Sequence, residues 1–205
     1  MMEESGKRML ANMPLICGLD EAGRGPLAGP VCAAAVILPE DFPFDLLNDS
    51  KKLSEAKRNK ALPIILENAI AYGIGWASPA EIDEINILQA SLLAMKRAFF
   101  AMENLDPSIE IEAITDGLYV PDIPVKCSAM VKADAKVPAV MAASILAKTA
   151  RDRVMERYSW IYPEYGYEKH KGYPTKDHYA RIAQYGVSPI QRHSFSLKKI
   201  QLELF

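Results

Sequence analysis

Leu15-Ile16-Cys17-Gly18-Leu19-Asp20-Glu21-Ala22-Gly23-Arg24-Gly25-Pro26 runs an apolar stretch directly into two adjacent carboxylates and then into a glycine-proline turn. A short apolar run bounded by turn residues reads as a strand covered on both faces. Charge is therefore placed where a buried strand emerges. Neighbouring carboxylates repel, and their pKa values separate unless a cation neutralises them. Their hard oxygens suit Mg²⁺ or Mn²⁺. The plainer alternative is two surface acids on a solvated turn. It accounts less well for three glycines and two prolines between Gly23 and Pro30. One tension accompanies the metal reading. Successive strand residues face opposite sides, so Asp20 and Glu21 can share a site only if the backbone distorts, which Gly23 and Gly25 would permit.

Working outward, Val31–Leu38 is all apolar and reads as the neighbouring strand. Ser54–Ile70 has helical spacing with an N-cap at Ser54, and Tyr72–Ala77 reads as a short strand. Ser78 caps a helix opened by Pro79, and a longer helix covers Leu88–Met102. Ile109–Thr115 reads as a strand that stops at Asp116-Gly117, and Val125–Lys132 as a strand ending at Asp134. Val137–Tyr158 is an Ala-rich helix. A Tyr/Gly/Pro-rich segment, Tyr162–Pro174, follows it, then a helix near Lys176–Gln184. Residues 1–13 read as a frayed start, and Ser196–Phe205 as a short tail with some helical character. The acids thus fall at comparable places, each after an apolar strand. Asp20, Glu21, Asp116 and Asp134 without histidine or cysteine beside them form a hard-metal donor set. Such a set fits phosphoryl chemistry on a pair of divalent ions.

The chain has 205 residues, half of them apolar, which suits one α/β domain. We expect a monomer. No stretch is long enough to span a bilayer and no secretory leader is evident, so a cytoplasmic protein is expected. Cys17, Cys32 and Cys127 form no CxxC pair and are expected to be buried free thiols. The net charge of −2 conceals an asymmetry: residues 148–199 carry eleven Lys or Arg against five Asp or Glu. A basic third beside an acidic remainder suits a polyanion gripped on one face while acids work next to it. His170, His178 and His193 lack metal-ligand spacing and are expected to be solvated or beside phosphate.

Gly23-Arg24-Gly25-Pro26-Leu27-Ala28 formally matches the GxGxxA dinucleotide fingerprint. That fingerprint must open a helix, whereas Pro26 and Pro30 here precede a strand. A loop whose bare backbone approaches a sugar-phosphate is a better use of these glycines, with Arg24 as a charged donor. Three functions therefore compete: a metal-dependent nuclease, a non-catalytic nucleic-acid binder, and a nucleotide-dependent oxidoreductase.

Gly18-Leu19-Asp20-Glu21-Ala22-Gly23-Arg24-Gly25-Pro26-Leu27-Ala28-Gly29-Pro30-Val31 closely resembles the opening signature of type 2 ribonucleases H, specifically bacterial ribonuclease HII. Asp49-Ser50-Lys51-Lys52-Leu53-Ser54, Lys132-Ala133-Asp134, Ala142–Lys148 followed by Arg151-Asp152, and Lys171-Gly172-Tyr173-Pro174-Thr175 agree with it in order. The resemblance implies a ribonuclease H-like fold, a mixed sheet flanked by helices with a helical C-terminal region. The core would span about 14–160, a basic substrate-binding region 161–199, and a tail 200–205. It implies hydrolysis 5′ of a ribonucleotide, in RNA/DNA hybrids or embedded singly in duplex DNA, leaving a 3′-hydroxyl and a 5′-phosphate. Its metal ligands would be Asp20, Glu21, Asp116 and Asp134, holding two Mn²⁺ or Mg²⁺ ions. Gly23, Arg24 and Gly25 would read the 2′-hydroxyl. Tyr173 would stack on the next sugar, and Lys51, Lys52, Ser144 and Lys148 would face phosphates. The related ribonuclease HIII carries lysine at the place of Arg24, which favours HII. The final Gln201-Leu202-Glu203-Leu204-Phe205 resembles a sliding-clamp binding pentapeptide, with Glu203 at its central place. The alternative is a tail packed on its own core.

Overall fold

Strand β1 (Leu15–Ala22) lies at the middle of a five-stranded sheet in the computed structural model, which describes residues 13–47, 54–103, 105 and 108–195. Strands β2 (Val31–Ile37), β3 (Ala71–Ala77), β4 (Ile111–Asp116) and β5 (Lys126–Met130) complete it in the order β3-β2-β1-β4-β5. The pairs β1/β2 and β2/β3 are antiparallel; β1/β4 and β4/β5 are parallel. The sheet is therefore mixed, as the resemblance implies.

Helices cover both faces because β1 and β2 are buried on both. Cys17, Leu19, Val31, Ala33, Ala35 and Ile37 pack with Ile82, Ala90, Ala94, Met95, Ala98 and Phe99 of α2 (Pro79–Phe100). Cys32, Ala34 and Val36 turn the other way, onto α1 (Glu55–Asn68) and α3 (Pro138–Ile161). Small side chains let α3 approach closely. A Cβ on Gly18 would sit 2.1 Å from the Ala139 carbonyl carbon, so α3 rests on the β1 backbone there. Two residues further along β1 is about 6.6 Å, which matches the rise of four to five helical residues. That match brings Ser144 over Asp20.

Both N-caps expected in the sequence are present: Ser54 accepts from the Lys57 N–H, and Ser78 with Glu81 forms a capping box. As the sequence reads, two helices follow Ser78: within Pro79–Phe100 the backbone leaves helical geometry at Asn86 (φ 66°, ψ 164°), which separates a short first helix from the longer second one. The Asn86 side chain accepts from the Leu88 and Gln89 N–H groups at 3.0 and 3.1 Å, so it recaps the second half. After α3 the chain passes through the single turn α4 (Tyr167–His170) into α5 (Lys176–Tyr185). No helix among the described residues is long and apolar enough to cross a membrane. The frayed start up to Ala11-Asn12, the Asp49–Leu53 segment with Lys51 and Lys52, and the tail with Gln201–Phe205 lie outside the described residues.

Candidate active site

Asp20 and Glu21 do not gain proximity through a distorted strand, contrary to the sequence expectation. The β1/β2 ladder stays regular through Asp20↔Ala34, Glu21↔Ala33 and Ala22↔Cys32. What ends is the other ladder: β1 pairs with β4 only as far as Leu19↔Thr115. Beyond it the two strands no longer pair, an opening of the kind where an open α/β sheet usually places its site. Asp116, the last residue of β4, stands at that opening. The backbone departs from strand geometry only at Gly23, with φ +102°.

The acids sense one another there. Burial first, and then the Glu21 charge, hold the Asp20 carboxyl up at about 7, with Asp116 adding to the rise. The Ser144 hydroxyl and the Glu21 N–H (2.8 Å) bond Asp20 and act against it. Burial also raises the Glu21 carboxyl, Asp116 adds to this, and the Arg24 guanidinium at 3.3 Å opposes it. Asp134 arrives from a different direction. Lys132, in a left-handed conformation (φ 60°), turns the chain out of β5 into a short 3₁₀ turn, Ala133–Ala135. Asp116 Oδ1 accepts the Ala133 N–H at 2.8 Å, which fixes that turn against the end of β4. Asp134 itself is fully buried.

This donor set fits a hard divalent cation. It offers only carboxylate oxygens, and Asp20 is held protonation-prone by burial and then by like charges, which a cation would neutralise. No group of three or more His, Cys, Asp or Glu side chains among the described residues is already gathered tightly enough to hold an ion.

Next to the acids is a cleft of about 330 Å³ lined by Glu21, Ala22, Gly23, Arg24, Gly25, Arg58, Ser144, Lys148 and Tyr173. Seven residues singled out in the sequence, Glu21, Gly23, Arg24, Gly25, Ser144, Lys148 and Tyr173, therefore share one wall-to-wall space. Asp20 joins it through Ser144, whereas Asp116 and Asp134 are not part of its lining. Tyr173 is separate from the packed aromatic pair Tyr165 and Tyr167, which stack at 5.6 Å. Its ring is 38 % exposed and has Lys148 Nζ at 5.6 Å over one face.

Arg58 was not foreseen. Asp152 holds it at 3.4 Å with one carboxylate oxygen and Lys148 at 2.7 Å with the other. The pair Arg151-Asp152 was visible only as part of a motif, with no role attached. The basic third also divides differently from the expectation. Arg151 and Arg192 are fully buried and bond backbone carbonyls, so neither grips phosphate. Burial, then Arg151, lowers Arg192 to about 9. The histidines differ likewise. His170 and His178 are buried and stacked at 4.4 Å, and burial lowers both, His178 to about 4. Only His193 is exposed. Cys17 and Cys32 are buried free thiols as expected; Cys127 is half-buried.

A mixed sheet with helices on both faces and carboxylates at the ends of its two central parallel strands defines a ribonuclease H-like nuclease. The family model for Ribonuclease HII matches residues 17–198, and the chain belongs to that family. It is 58 % identical to Ribonuclease HII of Treponema denticola, over 91 % of this chain and all of the relative. It is 48 % identical to Ribonuclease HII of Dechloromonas aromatica, over 96 % of this chain and 98 % of the relative. Ribonuclease H2 from Pyrococcus horikoshii superposes with a TM-score of 0.70 at 28 % identity, covering 92 % of this chain and 97 % of that one. Bst-RNase HIII in complex with Mn²⁺ shares the fold, with a TM-score of 0.73 at 18 % identity over 93 % of this chain and 70 % of its own. The chain is a ribonuclease H, a hydrolase acting as an endonuclease on nucleic acid, and its family is metal-dependent.

Proposed function

We propose that the chain cleaves the phosphodiester 5′ of a ribonucleotide, in RNA/DNA hybrids and at single ribonucleotides embedded in duplex DNA, leaving a 3′-hydroxyl and a 5′-phosphate. The observation that carries this is the shared cleft: the Gly23-Arg24-Gly25 loop, Tyr173 and the Glu21 carboxylate face one space. A sugar read by the loop is thereby brought beside the acids. Asp20, Glu21, Asp116 and Asp134 would hold two divalent ions, Mn²⁺ or Mg²⁺, which when bound neutralise the cluster and make water a nucleophile at neutral pH.

The protein's own groups do the rest. Ser144 fixes the Asp20 carboxylate, and Arg24 restrains Glu21. Loop amides donate to the 2′-hydroxyl, the group that separates RNA from DNA. The Tyr173 ring stacks on the following sugar, where a second 2′-hydroxyl would crowd it. That favours a ribonucleotide followed by a deoxyribonucleotide. Lys148, Arg58 and Ser144 meet phosphates, together with Lys51 and Lys52 from the segment outside the described residues. Acids on the cleft argue against a purely binding module, since they repel a polyanion. The glycine run enters strand β2 rather than a helix, which argues against a dinucleotide site.

The deciding experiment is cleavage of a duplex carrying one ribonucleotide, with Mg²⁺ or Mn²⁺ and with chelator, and product ends identified. Cutting that survives complete chelation, or cutting 3′ of the ribonucleotide, ends the reading. We further propose a single catalytic domain acting as a cytoplasmic monomer, which sedimentation of the purified chain checks. The Gln201–Phe205 tail is proposed to bind a sliding clamp; the related Archaeoglobus fulgidus RNase HII was solved as a PCNA complex. Clamp capture unaffected by deletion of those five residues removes that proposal.

A further inference from the structure

The carbonyls of the glycine loop converge on one buried cation. Arg192 donates from Nε to Gly29 O (2.8 Å), from Nη1 to Arg24 O (3.1 Å) and Pro26 O (2.8 Å), and from Nη2 to Gly23 O (2.6 Å). Its backbone N–H donates to Leu27 O at 2.9 Å. Arg151 takes the remaining Ala28 and Pro30 carbonyls at 3.2 and 3.0 Å. Of the eight carbonyls from Gly23 to Pro30, seven thus accept from two arginines. Both side chains are fully buried beneath the loop.

Peptide geometry turns this into an orientation. In a trans peptide the C=O of one residue and the N–H of the next point in opposite directions. With Gly23 O and Arg24 O drawn inward to Arg192, the N–H groups of Arg24 and Gly25 point outward, on the side where those residues line the cleft. The same rule holds at the next position. Pro26 O faces Arg192, and the Leu27 N–H on the opposite side donates to Gly172 O at 2.8 Å. Gly172 precedes Tyr173, so this bond also ties the loop to the ring on the cleft's far wall.

We propose that Arg192 is a positioning residue for catalysis: by gathering the loop carbonyls it aims the Arg24 and Gly25 amides at a ligand hydroxyl in the cleft. It touches no substrate atom and acts through the loop. A planar guanidinium with five donors can serve several carbonyls at fixed angles, which a lysine ammonium cannot reproduce. The inference rests on the reading of the loop as the 2′-hydroxyl donor.

The test uses the full chain, as Arg192→Ala and Arg192→Lys, with amide hydrogen exchange and steady-state kinetics side by side. Exchange of the Leu27 and Gly29 amides, which the native loop bonds to Gly172 O and Ile190 O, should accelerate ~10-fold or more in Arg192→Ala while the β1/β2 ladder keeps its protection. Free guanidinium at tens of millimolar, against matched NaCl, should restore it. On a duplex with one ribonucleotide, kcat should fall ~10–100-fold with KM little changed, and recover in part with guanidinium. Arg192→Lys should retain the defect. Loop protection equal to the parent's in Arg192→Ala, or protection lost throughout the sheet without rescue, overturns the proposal. If Arg192→Ala does not fold, Arg192→Lys decides: parental loop exchange and turnover overturn the proposal, and a loss confined to the loop and kcat supports it. If the parent chain does not cut the duplex at all, the functional reading fails, and the exchange arm still tests whether Arg192 sets the loop.

Discussion

The acid end of the cleft and its glycine loop are assembled by different means. Asp20, Glu21 and Asp116 sit at the ends of neighbouring strands, β1 and β4, and Asp134 follows β5 in a short turn fixed against Asp116, so the sheet and its immediate continuation place them. The loop is placed by residues far away in sequence: Arg151 reaches Pro30 across 121 positions, and Arg192 reaches Gly23 across 169. One end buries carboxyls and sets them beside one another, and both effects, burial first, raise them. The other buries positive charge and satisfies it with carbonyl oxygens. An end built by strand register should tolerate mutation of its surroundings and fail when its own acids change. An end built by tertiary struts should fail when those distant struts change.

The largest effect that sharpens this contrast is at the acids. Asp134→Asn should lower cleavage by ~10³-fold or more, with duplex affinity largely kept, since it removes one carboxylate ligand of the proposed metal pair. Binding by gel shift and single-turnover cleavage separate the two. Retained turnover would take Asp134 out of the chemistry.

The pH dependence of stability distinguishes the acid corner from the buried histidine pair. Asp20 is raised to about 7, so its folded form holds a proton that the unfolded chain releases above its ordinary 3.8. That contribution is present at low pH and is lost as pH rises toward 7. His178 is lowered to about 4 from 6.5, so the unfolded chain binds the extra proton, and stability is lost as pH falls through that window. Each limb is of order 3–5 kcal/mol, and the signs oppose. In chelator, the parent's melting temperature should vary little between about pH 4.5 and 6.5. Asp20→Asn should unmask a curve that rises with pH across that range. Superimposable curves for parent and variant would mean that the corner carries no such strain.

How far each end could be read from sequence follows from the same contrast. Leu15–Leu19 and Val31–Leu38 are continuous apolar runs, so the central strands were legible. A carboxylate following each strand was enough to pick out Asp20, Glu21 and Asp116. Glycines and a lysine, serine and tyrosine in matching motifs gave most of the cleft lining. What could not be read was which cations face water. Arg151, Arg192, Lys148 and Arg58 look alike in composition. Their fates depend on whether a carbonyl-rich loop or a carboxylate, Asp152, folds over them. The opposite facing of Asp20 and Glu21 suggested a distorted strand, because an early end to one ladder leaves no local signal in the sequence.

Tyr173→Ala addresses the wall opposite the acids. Stacking on a sugar or base contributes ~1–3 kcal/mol, so preference for a single embedded ribonucleotide should drop ~10-fold or more while the melting temperature stays near the parent's. Equal loss on single-ribonucleotide and long-hybrid substrates would contradict the stacking role. Arg58→Gln should act more weakly, lowering affinity alike for all sequences and reducing the salt slope by ~1. An unchanged slope would make Arg58 a partner of Asp152 only.

The finest discrimination lies within the loop, between its two glycines. Gly23 has φ +102°, and a Cβ there would meet Arg151 Nε at 2.1 Å. Gly23→Ala should therefore cost ~1–3 kcal/mol of stability, as expected for a strained left-handed residue. Gly25 has no such constraint: its Cβ would meet only Tyr173 Cε1, at an ordinary 3.6 Å. Gly25→Ala should change stability by no more than ~0.5 kcal/mol. Any loss of cleavage it causes then reports the space a ligand needs above the backbone. A stable Gly25→Ala with full activity would show that no sugar approaches that amide, and the loop would be left as scaffold rather than reader.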